Sequence, residues 1–398
     1  MRALFLGPTG VNMRQAVYSI ADFFYSLKGL PRDPEDKEAR KALATYFLED
    51  FLRAKVDWVA FLSSDDYRWQ EEEWRGAFVR MLRRIVDESP RNAVVGMNLP
   101  FFNRSRFFPA FDLSPFRELK PDIVVTLIEE EHVMWRRVQM REERRRTGAD
   151  FRLKDIFAWR NTSILLADII SRELGVDNYV VAVKHPVGTF YRLLFELPSL
   201  KVYLSFPITG VRDRREAREE IDGFRRALHR RFTAFDPLTV DERALRAALE
   251  SSKGDVVEIK AEDVWNVPPD LRPACRDEEE LYPIRIPRDQ VAEVLRDLDN
   301  IIRYKDYRYI QQSDAVAAYR PFRGRAMSRG MFAEINYAVN TAHKRVFVYW
   351  PREDWEPGME SPFDPSLGVV EEDFDKFLKD LEAYEEELKR SRAPGAAG

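Results

Sequence analysis

The sequence has almost no cysteine and little histidine. Cys275 is the only cysteine among 398 residues, so a disulfide within the chain and a zinc site built on several thiolates are both excluded. The four histidines are scattered along the chain without the spacing of metal ligands. We therefore expect neither a metal site nor a bound cofactor.

Long apolar runs and a strong excess of one charge are also missing. No apolar stretch approaches the roughly 20 residues that cross a membrane, and the opening residues MRALFLGPTG reach a glycine loop too early for a signal peptide. Charged residues make up 33% of the chain, yet the formal net charge is only -4, which argues against a general nucleic-acid binder. These absences predict a cytoplasmic protein with no membrane partner, argue against a nucleic-acid partner and leave small anionic ligands open.

The residues that are present predict an α/β protein of two parallel-sheet, three-layer domains. A short apolar strand runs into a Gly/Pro/Thr loop and then a helix at two places, residues 2–24 and 201–228. We predict one domain over 1–197 and a second over 198–355, the latter with an irregular insertion at about 251–300. A charged helix and tail should follow over 356–398.

Hydrophobic periodicity predicts the individual elements. The strands expected after the first are Val56–Leu62, Ala93–Met97, Asp122–Ile128, Tyr179–Val183, Thr233–Phe235, Ala315–Tyr319 and Arg345–Trp350. The helices expected are Glu71–Asp87, Glu131–Arg146, Leu153–Leu174, one with Ala217, Ile221, Phe224 and Leu228 on its buried face, and Asp373–Arg392.

The loop GPTGVNMR, residues 7–14, stands where a phosphate-binding loop should. It lacks the lysine of such loops, because Asn12, Met13 and Arg14 occupy the positions of the second glycine, the lysine and the hydroxyl. Gly7, Thr9, Gly10 and Arg14 are nevertheless the candidates for a second nucleotide site.

The surroundings of this loop resemble the adenylate-kinase-like branch of P-loop proteins. The stretch PDIVVTLIEEEHVMWRRVQMREERRR is similar to that family's strand and arginine-rich lid, and LKDIFAWRNTSILLADIISREL is similar to the following helix. The resemblance implies a P-loop NTPase-like fold for residues 1–197. The domain could be a silent scaffold or could bind a nucleotide without hydrolysing it.

Three segments of the second half offer groups for chemistry. In SFPITGVRD, residues 205–213, Thr209, Gly210 and Arg212 could bind an anion, or could form an ordinary turn. In SDAVAAYRP, residues 313–321, Asp314 begins a strand, and Tyr319 and Arg320 lie at its carboxyl end, where parallel sheets bind ligands.

The third segment, SRGMFAEINYA at residues 328–338, predicts a helix that begins after Ser328 as its N-cap and continues to Thr341 or Ala342. Glu334 falls on the flank of this helix, and Gly330 should leave open space above its carboxylate. The residues expected to face the core are Met331, Phe332, Ile335 and Ala338.

The order and spacing of KVYLSFPITG, SDAVAAYRP, SRGMFAEINYA and KRVFVYW resemble the nucleoside 2-deoxyribosyltransferase family over residues 200–352. That family includes 2'-deoxynucleoside 5'-monophosphate N-glycosidases. The resemblance implies a flavodoxin-like, Rossmann-type sheet, cleavage of an N-glycosidic bond and a homo-oligomer. By resemblance, Glu334 is the nucleophile and Asp314 lies near the leaving base and sugar.

The same resemblance assigns substrate contacts. Ser328 would contact a 5'-phosphate, and the loop of Thr209, Gly210 and Arg212 would hold the sugar-phosphate end. The substrate is therefore expected to be a nucleotide or a nucleoside, in a hydrolase or a transferase. Two alternatives remain open: a nucleotide-sensing protein without catalysis, and a nucleotide kinase joined to a glycosidase.

Overall fold

A computed structural model describes residues 1–33, 35–103, 106–108, 112–141, 151–208, 210–212, 214–276, 279–320, 322–323, 326–354 and 368–392. The chain forms two compact units. The first unit consists of Met1–Val187, Thr239–Asn266 and Pro273–Asp299, and the second of Gly188–Leu238, Val267–Arg272 and Asn300–Gly398.

The first unit is built on a parallel sheet of five strands. The strands of the whole unit, inside and outside this sheet, are β1 (Arg2–Gly7), β2 (Ala44–Phe47), β3 (Ala93–Asn98), β4 (Phe101–Asn103), β5 (Arg106–Phe108), β6 (Ile123–Ile128), β7 (Asn178–Ala182), β10 (Val256–Ile259) and β11 (Ile284–Pro287). The sheet has the order β2-β3-β1-β6-β7, whereas β4 pairs with β5 and β10 with β11 in separate antiparallel pairs. β1 is therefore the central strand, and the loop that follows it lies at the carboxyl edge of the sheet.

Helices flank the sheet of the first unit. They are α1 (Met13–Lys28), α2 (Lys37–Ala42), α3 (Leu48–Arg53), α4 (Trp58–Ser63), α5 (Tyr67–Glu88), α6 (Ser114–Leu119), α7 (Glu131–Met140), α8 (Leu153–Leu174), α11 (Arg243–Ser251) and α12 (Arg288–Leu295). α5 and α8 bury apolar faces that include Trp74, Phe78 and Ile170 in the core around the sheet.

The second unit also contains a parallel sheet of five strands. The strands of the whole unit are β8 (Lys201–Ser205), β9 (Thr233–Phe235), β12 (Ala315–Tyr319), β13 (Phe322–Arg323), β14 (Ala326–Met327), β15 (Arg345–Tyr349) and β16 (Gly368–Glu371). Of these, β13 and β14 form a separate pair outside the sheet. Its helices are α9 (Val187–Phe195), α10 (Arg215–Arg231), α13 (Leu298–Gln312), α14 (Arg329–Asn340) and α15 (Phe374–Ser391).

The strand order of this second sheet identifies where a ligand would bind. Read from one edge the order is β9-β8-β12-β15-β16, which is the 2-1-3-4-5 order of flavodoxin-like sheets. In such sheets the direction of winding changes between the first and third strands, and ligands bind beyond their carboxyl ends. Here those ends are Ser205 of β8 and Tyr319 of β12.

The prediction of two parallel-sheet α/β domains is confirmed, and β9, β12 and α8 have the predicted bounds. The predicted strand Val56–Leu62 is wrong, because helix α4 lies there. The side chain of Asp57 caps this helix by accepting a hydrogen bond from the Ala60 backbone N–H at 2.7 Å. Trp58 and Phe61, three residues apart, then bury one helical face.

Two strands of the five-stranded sheets were not predicted, and the insertion differs from the expectation. β2 and β16 are short outer strands of their sheets. The segment expected to be an irregular part of the second domain contains the antiparallel pair β10–β11, and most of it belongs to the first unit. Buried polar contacts attach it there: Glu242 pairs with Arg160 at 3.2 Å, and Asn266 accepts from Lys184 at 3.0 Å. The predicted helix from Glu131 ends at Met140, and its continuation over 142–150 lies outside the described residues.

Candidate functional site

Glu334 lies on the flank of α14, half buried. Met331, Ile335 and Ala338 form the buried face of this helix, as predicted, and α14 packs against β12 and β15. Phe332 was expected in the core but is 39% exposed, because it lies off the stripe that the other three residues form. Ser328 occupies the N-cap position, although its side chain makes no capping hydrogen bond.

Ser205 holds the carboxylate of Glu334. Its hydroxyl donates a hydrogen bond to Glu334 Oε2 at 2.6 Å, a distance typical of a strong hydroxyl–carboxylate bond. Ser205 is fully buried and is the last residue of β8. The carboxylate therefore lies at the carboxyl end of β8, beside the point where the winding of the sheet changes.

Tyr203 points to the same face of β8 as Ser205, since the two residues are two positions apart on a strand. The side chain is fully buried. Burial, followed by the charges of Asp306 and Glu334, raises the pKa of this hydroxyl well above its usual range. The hydroxyl makes no hydrogen bond of standard geometry to any described residue, although Glu334 is close enough to act on its pKa. Tyr203 thus stays protonated as a buried donor next to Glu334.

Helices α13 and α14 meet through a stacked pair of tyrosines. The rings of Tyr307 and Tyr337 are parallel within 4°, with centroids 3.8 Å apart, and Gln311 donates to the Tyr337 hydroxyl at 2.6 Å. Asp306 precedes one of these tyrosines, and Glu334 lies one turn before the other on α14. The stack therefore fixes the two helices that carry the two acidic side chains.

Asp306 is a second carboxylate near Tyr203, and it was not among the predicted site residues. It is 7% exposed, and its Oδ1 lies 3.9 Å from Nζ of Lys305, which donates to the Pro237 carbonyl at 2.9 Å. Asp306 lies in the segment RYKDYRY, where helical spacing puts Lys305, Asp306 and Tyr309 on a buried face. A charged pair on the inner face of a helix was the signal that could have identified it.

Asp314 lies at the opposite end of the sheet from Glu334. It precedes the first residue of β12 and accepts from the backbone N–H of Lys201, the first residue of β8, at 2.9 Å. The Lys201 ammonium and the Arg392 guanidinium lie 3.2 Å and 2.8 Å from its carboxylate. Because Ala315 pairs with Val202 and Ala318 with Ser205, Asp314 is displaced by about 10 Å or more along the strands from Ser205. The expectation that Asp314 and Glu334 form one site is not met.

Tyr319 and Arg320 lie at the carboxyl end of β12, as predicted, but both are occupied by structural contacts. The Tyr319 ring packs against Phe224 with centroids 4.9 Å apart. The guanidinium of Arg320 makes two hydrogen bonds of 2.6 Å to the carboxylate of Asp354. This bidentate pair engages the guanidinium expected to bind a phosphate.

The predicted phosphate loop after β8 is only partly described. Thr209 lies outside the described residues. Gly210 has a left-handed φ of 82° and is exposed, and Arg212 is half buried. A Cβ at Gly330 would meet no atom of the described residues within 4 Å, so there is open space at Gly330 itself. The same is true of Gly210, and the space alone does not distinguish a site.

In the first unit, the predicted second nucleotide site is not assembled as expected. Gly7 ends β1, Thr9 forms a bridge with Val11, and Gly10 has a φ of 109°. Arg14, expected to replace the missing lysine, instead makes hydrogen bonds of 2.6 Å and 3.0 Å to the carboxylate of Asp50. Its guanidinium is thus paired with a carboxylate of α3 and does not take the place of the missing loop lysine.

Comparisons with other proteins leave the function to be argued from the site. The sequence matches no protein-family model and no curated protein. Within the described ranges, no cluster of three or more His, Cys, Asp or Glu side chains could hold a metal ion. No helix in the part of the chain that the structure covers is both long and apolar enough to cross a membrane.

Proposed function

We propose that the second unit cleaves the N-glycosidic bond of a nucleotide or nucleoside, with Glu334 as the nucleophile. The observation that carries this proposal is the 2.6 Å hydrogen bond from Ser205 to Glu334, which holds a carboxylate where β8 ends, at the edge where flavodoxin-like sheets bind ligands. Asp306, a second carboxylate, lies near the same buried tyrosine, Tyr203. Most enzymes that cleave glycosidic bonds use a pair of carboxylates as their catalytic groups.

The chemistry follows from the two environments. As the C–N bond breaks, positive charge develops on the anomeric carbon, and Glu334 attacks it to form a glycosyl ester. The hydroxyl of Ser205 donates a hydrogen bond that orients the carboxylate without neutralising its charge, and the protonated hydroxyl of Tyr203 lies nearby. Asp306, nearly buried, protonates the leaving base.

The second half of the reaction regenerates both groups. Asp306, now ionised, takes a proton from water, and the water oxygen attacks the anomeric carbon while the bond to Glu334 breaks. If a second base takes the place of water, the reaction is a transfer. Asp306 thus assumes the role expected of Asp314, whose position beside Lys201 and Arg392 does not support it. The expected homo-oligomer stays a prediction.

The test is chromatography of the protein incubated with mixed nucleosides and nucleoside monophosphates, with and without an added second base. We expect free base, and Glu334→Gln should reduce its release by about 10³-fold or more. Glu387→Gln, an exposed glutamate paired with Arg345 at 3.3 Å, is the matched control and should have no effect.

Full activity of Glu334→Gln would show that another group is the nucleophile. Stabilisation of the protein by a nucleotide, with no base released, would instead favour a binding protein without catalysis. A new nucleoside formed only when a second base is present would identify a transferase.

A further inference from the structure

The loop between β1 and α1 of the first unit contains a buried carboxylate. Glu129 follows β6, the neighbour of β1 in the sheet, and is 1% exposed. Its Oε2 accepts a hydrogen bond from the backbone N–H of Asn12 at 3.0 Å. Asn12 is the N-cap residue of α1, so a negative charge lies at the start of that helix.

The start of α1 needs an anion from elsewhere in the chain. The helix has 16 residues, no acidic residue in its first turn and no side-chain capping bond at Asn12. The side-chain amide of Asn12 instead donates a hydrogen bond to the side-chain carbonyl of Gln15 at 2.7 Å. The first backbone N–H groups of a helix have no partner within it and carry partial positive charge, which is why phosphates bind there in nucleotide-binding loops.

Arg137 completes the surroundings of this carboxylate. Its guanidinium makes a bidentate pair with Glu129 at 2.8 Å and 2.9 Å and also donates to the carbonyl of Gly10. A Cβ built on Gly10 would lie 3.0 Å from Cγ2 of Val138. Helix α7 therefore packs directly on the loop, where it provides both the guanidinium of Arg137 and the apolar side chain of Val138.

We propose that the carboxylate of Glu129 occupies the position at the β1–α1 loop that a phosphate occupies in nucleotide-binding loops, so that the loop is closed to nucleotides. A backbone N–H at a helix start and a bidentate guanidinium are the donors that such a site offers to a phosphate oxygen. Here both are satisfied from within the chain. The first unit is consequently a scaffold with an internal anion, and this inference is independent of the glycosidase proposal.

Replacing the carboxylate should open the site to small anions. In Glu129→Ala, the largely buried guanidinium of Arg137 loses its carboxylate, and the melting temperature should fall by about 6 to 20 °C. Sodium acetate or inorganic phosphate should then restore roughly 3 to 6 °C at ten times its dissociation constant. The comparison is sodium chloride at equal ionic strength, and the gain of the wild type in the same salts is subtracted.

Two variants serve as controls. Glu173→Ala removes an exposed glutamate that pairs with Arg117 in the same unit, and it should neither lose much stability nor respond to acetate. Glu129→Ala combined with Arg137→Met removes both charges, so it should be more stable than Glu129→Ala alone and insensitive to acetate. If Glu129→Ala does not fold in chloride, its refolding yield in acetate against chloride gives the same readout.

One result would overturn the inference: Glu129→Ala gains no more from acetate or phosphate than the wild type does. Base release by the second unit is not involved in this measurement, so a failure here leaves the glycosidase proposal intact.

Discussion

The carboxyl edges of the two sheets both carry acidic side chains, but these have different neighbours. In the first unit three consecutive buried glutamates each pair with a cation. The pairs are Glu129 with Arg137, Glu130 with Lys184 and Glu131 with Arg160. In the second unit the carboxylate of Glu334 accepts a hydrogen bond from the hydroxyl of Ser205, and the buried hydroxyl of Tyr203 lies nearby.

Under the proposed function, this difference separates a structural edge from a reactive one. A carboxylate paired with a guanidinium or ammonium in the interior is neutralised, and its pairing compensates the cost of burying both charges. A carboxylate held by hydroxyls keeps its charge and remains able to capture a cationic carbon. Two sheets of the same parallel class thus differ in what their edges can do, because function depends on the side chains rather than on the fold.

The largest effect on base release should come from Asp306, the acid proposed for the second unit. Asp306→Asn removes the carboxyl group proposed as the proton donor, so we expect base release to fall by about 10²- to 10⁴-fold. The loss should be smaller for a nucleoside whose base already carries a positive charge, since that base departs without protonation. Rates with both substrate types check this.

Asp299→Asn is the control for Asp306, because it changes an exposed aspartate on the same helix that pairs with Arg246 at 3.0 Å. It should leave the rates unchanged. An equal loss with charged and neutral leaving bases in Asp306→Asn would contradict the role of Asp306 as an acid.

Substitutions at the carboxyl edge of the first unit's sheet should change the free energy of unfolding. Arg160→Met leaves Glu131 and Glu242 buried without their guanidinium, and we expect the free energy of unfolding to fall by about 3 to 5 kcal/mol. Arg117→Met, which breaks an exposed pair with Glu173, should cost only about 0 to 1 kcal/mol. Denaturant titration of both variants measures the difference. Equal costs would mean that this edge does not depend on its buried pairs.

Much of the fold was predictable because continuous apolar runs bounded by turn residues mark buried parallel strands. Ala315–Tyr319 is such a run and has the predicted bounds. The run at Val56–Leu62 is apolar except for Asp57, and only the capping role of this residue distinguishes a short helix from a strand there. β2 and β16 have four residues each and lie at sheet edges, where the pattern is weakest.

The site was predictable only in part. Glu334 could be selected from its own helix, but its partner Ser205 is 129 positions away, and no local pattern records such a contact. The position of Asp314 could have been judged better from the sequence, since a residue that precedes a parallel strand lies at the amino edge of the sheet. Ligands bind at the carboxyl edge, so the direction of the strand already argued against Asp314 as the acid.

The smallest effect should come from Asp314, and it distinguishes the two ends of the second sheet. Although burial raises its pKa, the charge of Lys201 and the hydrogen bond from Arg392 lower it overall. Its ionised form therefore contributes stability that is fully present above the unfolded pKa of about 4 and is lost as the pH falls below it.

Asp314→Asn should thus lower the free energy of unfolding by about 1.5 kcal/mol at pH 7, and the difference from the wild type should shrink as the pH falls below about 4. Denaturant titrations across this range measure it. Base release at pH 7 should be unchanged, because the nearest partners of Asp314 are Lys201 and Arg392 at the amino edge. A large loss of base release with unchanged stability would return the acid role to Asp314 and remove the contrast between the two ends of the sheet.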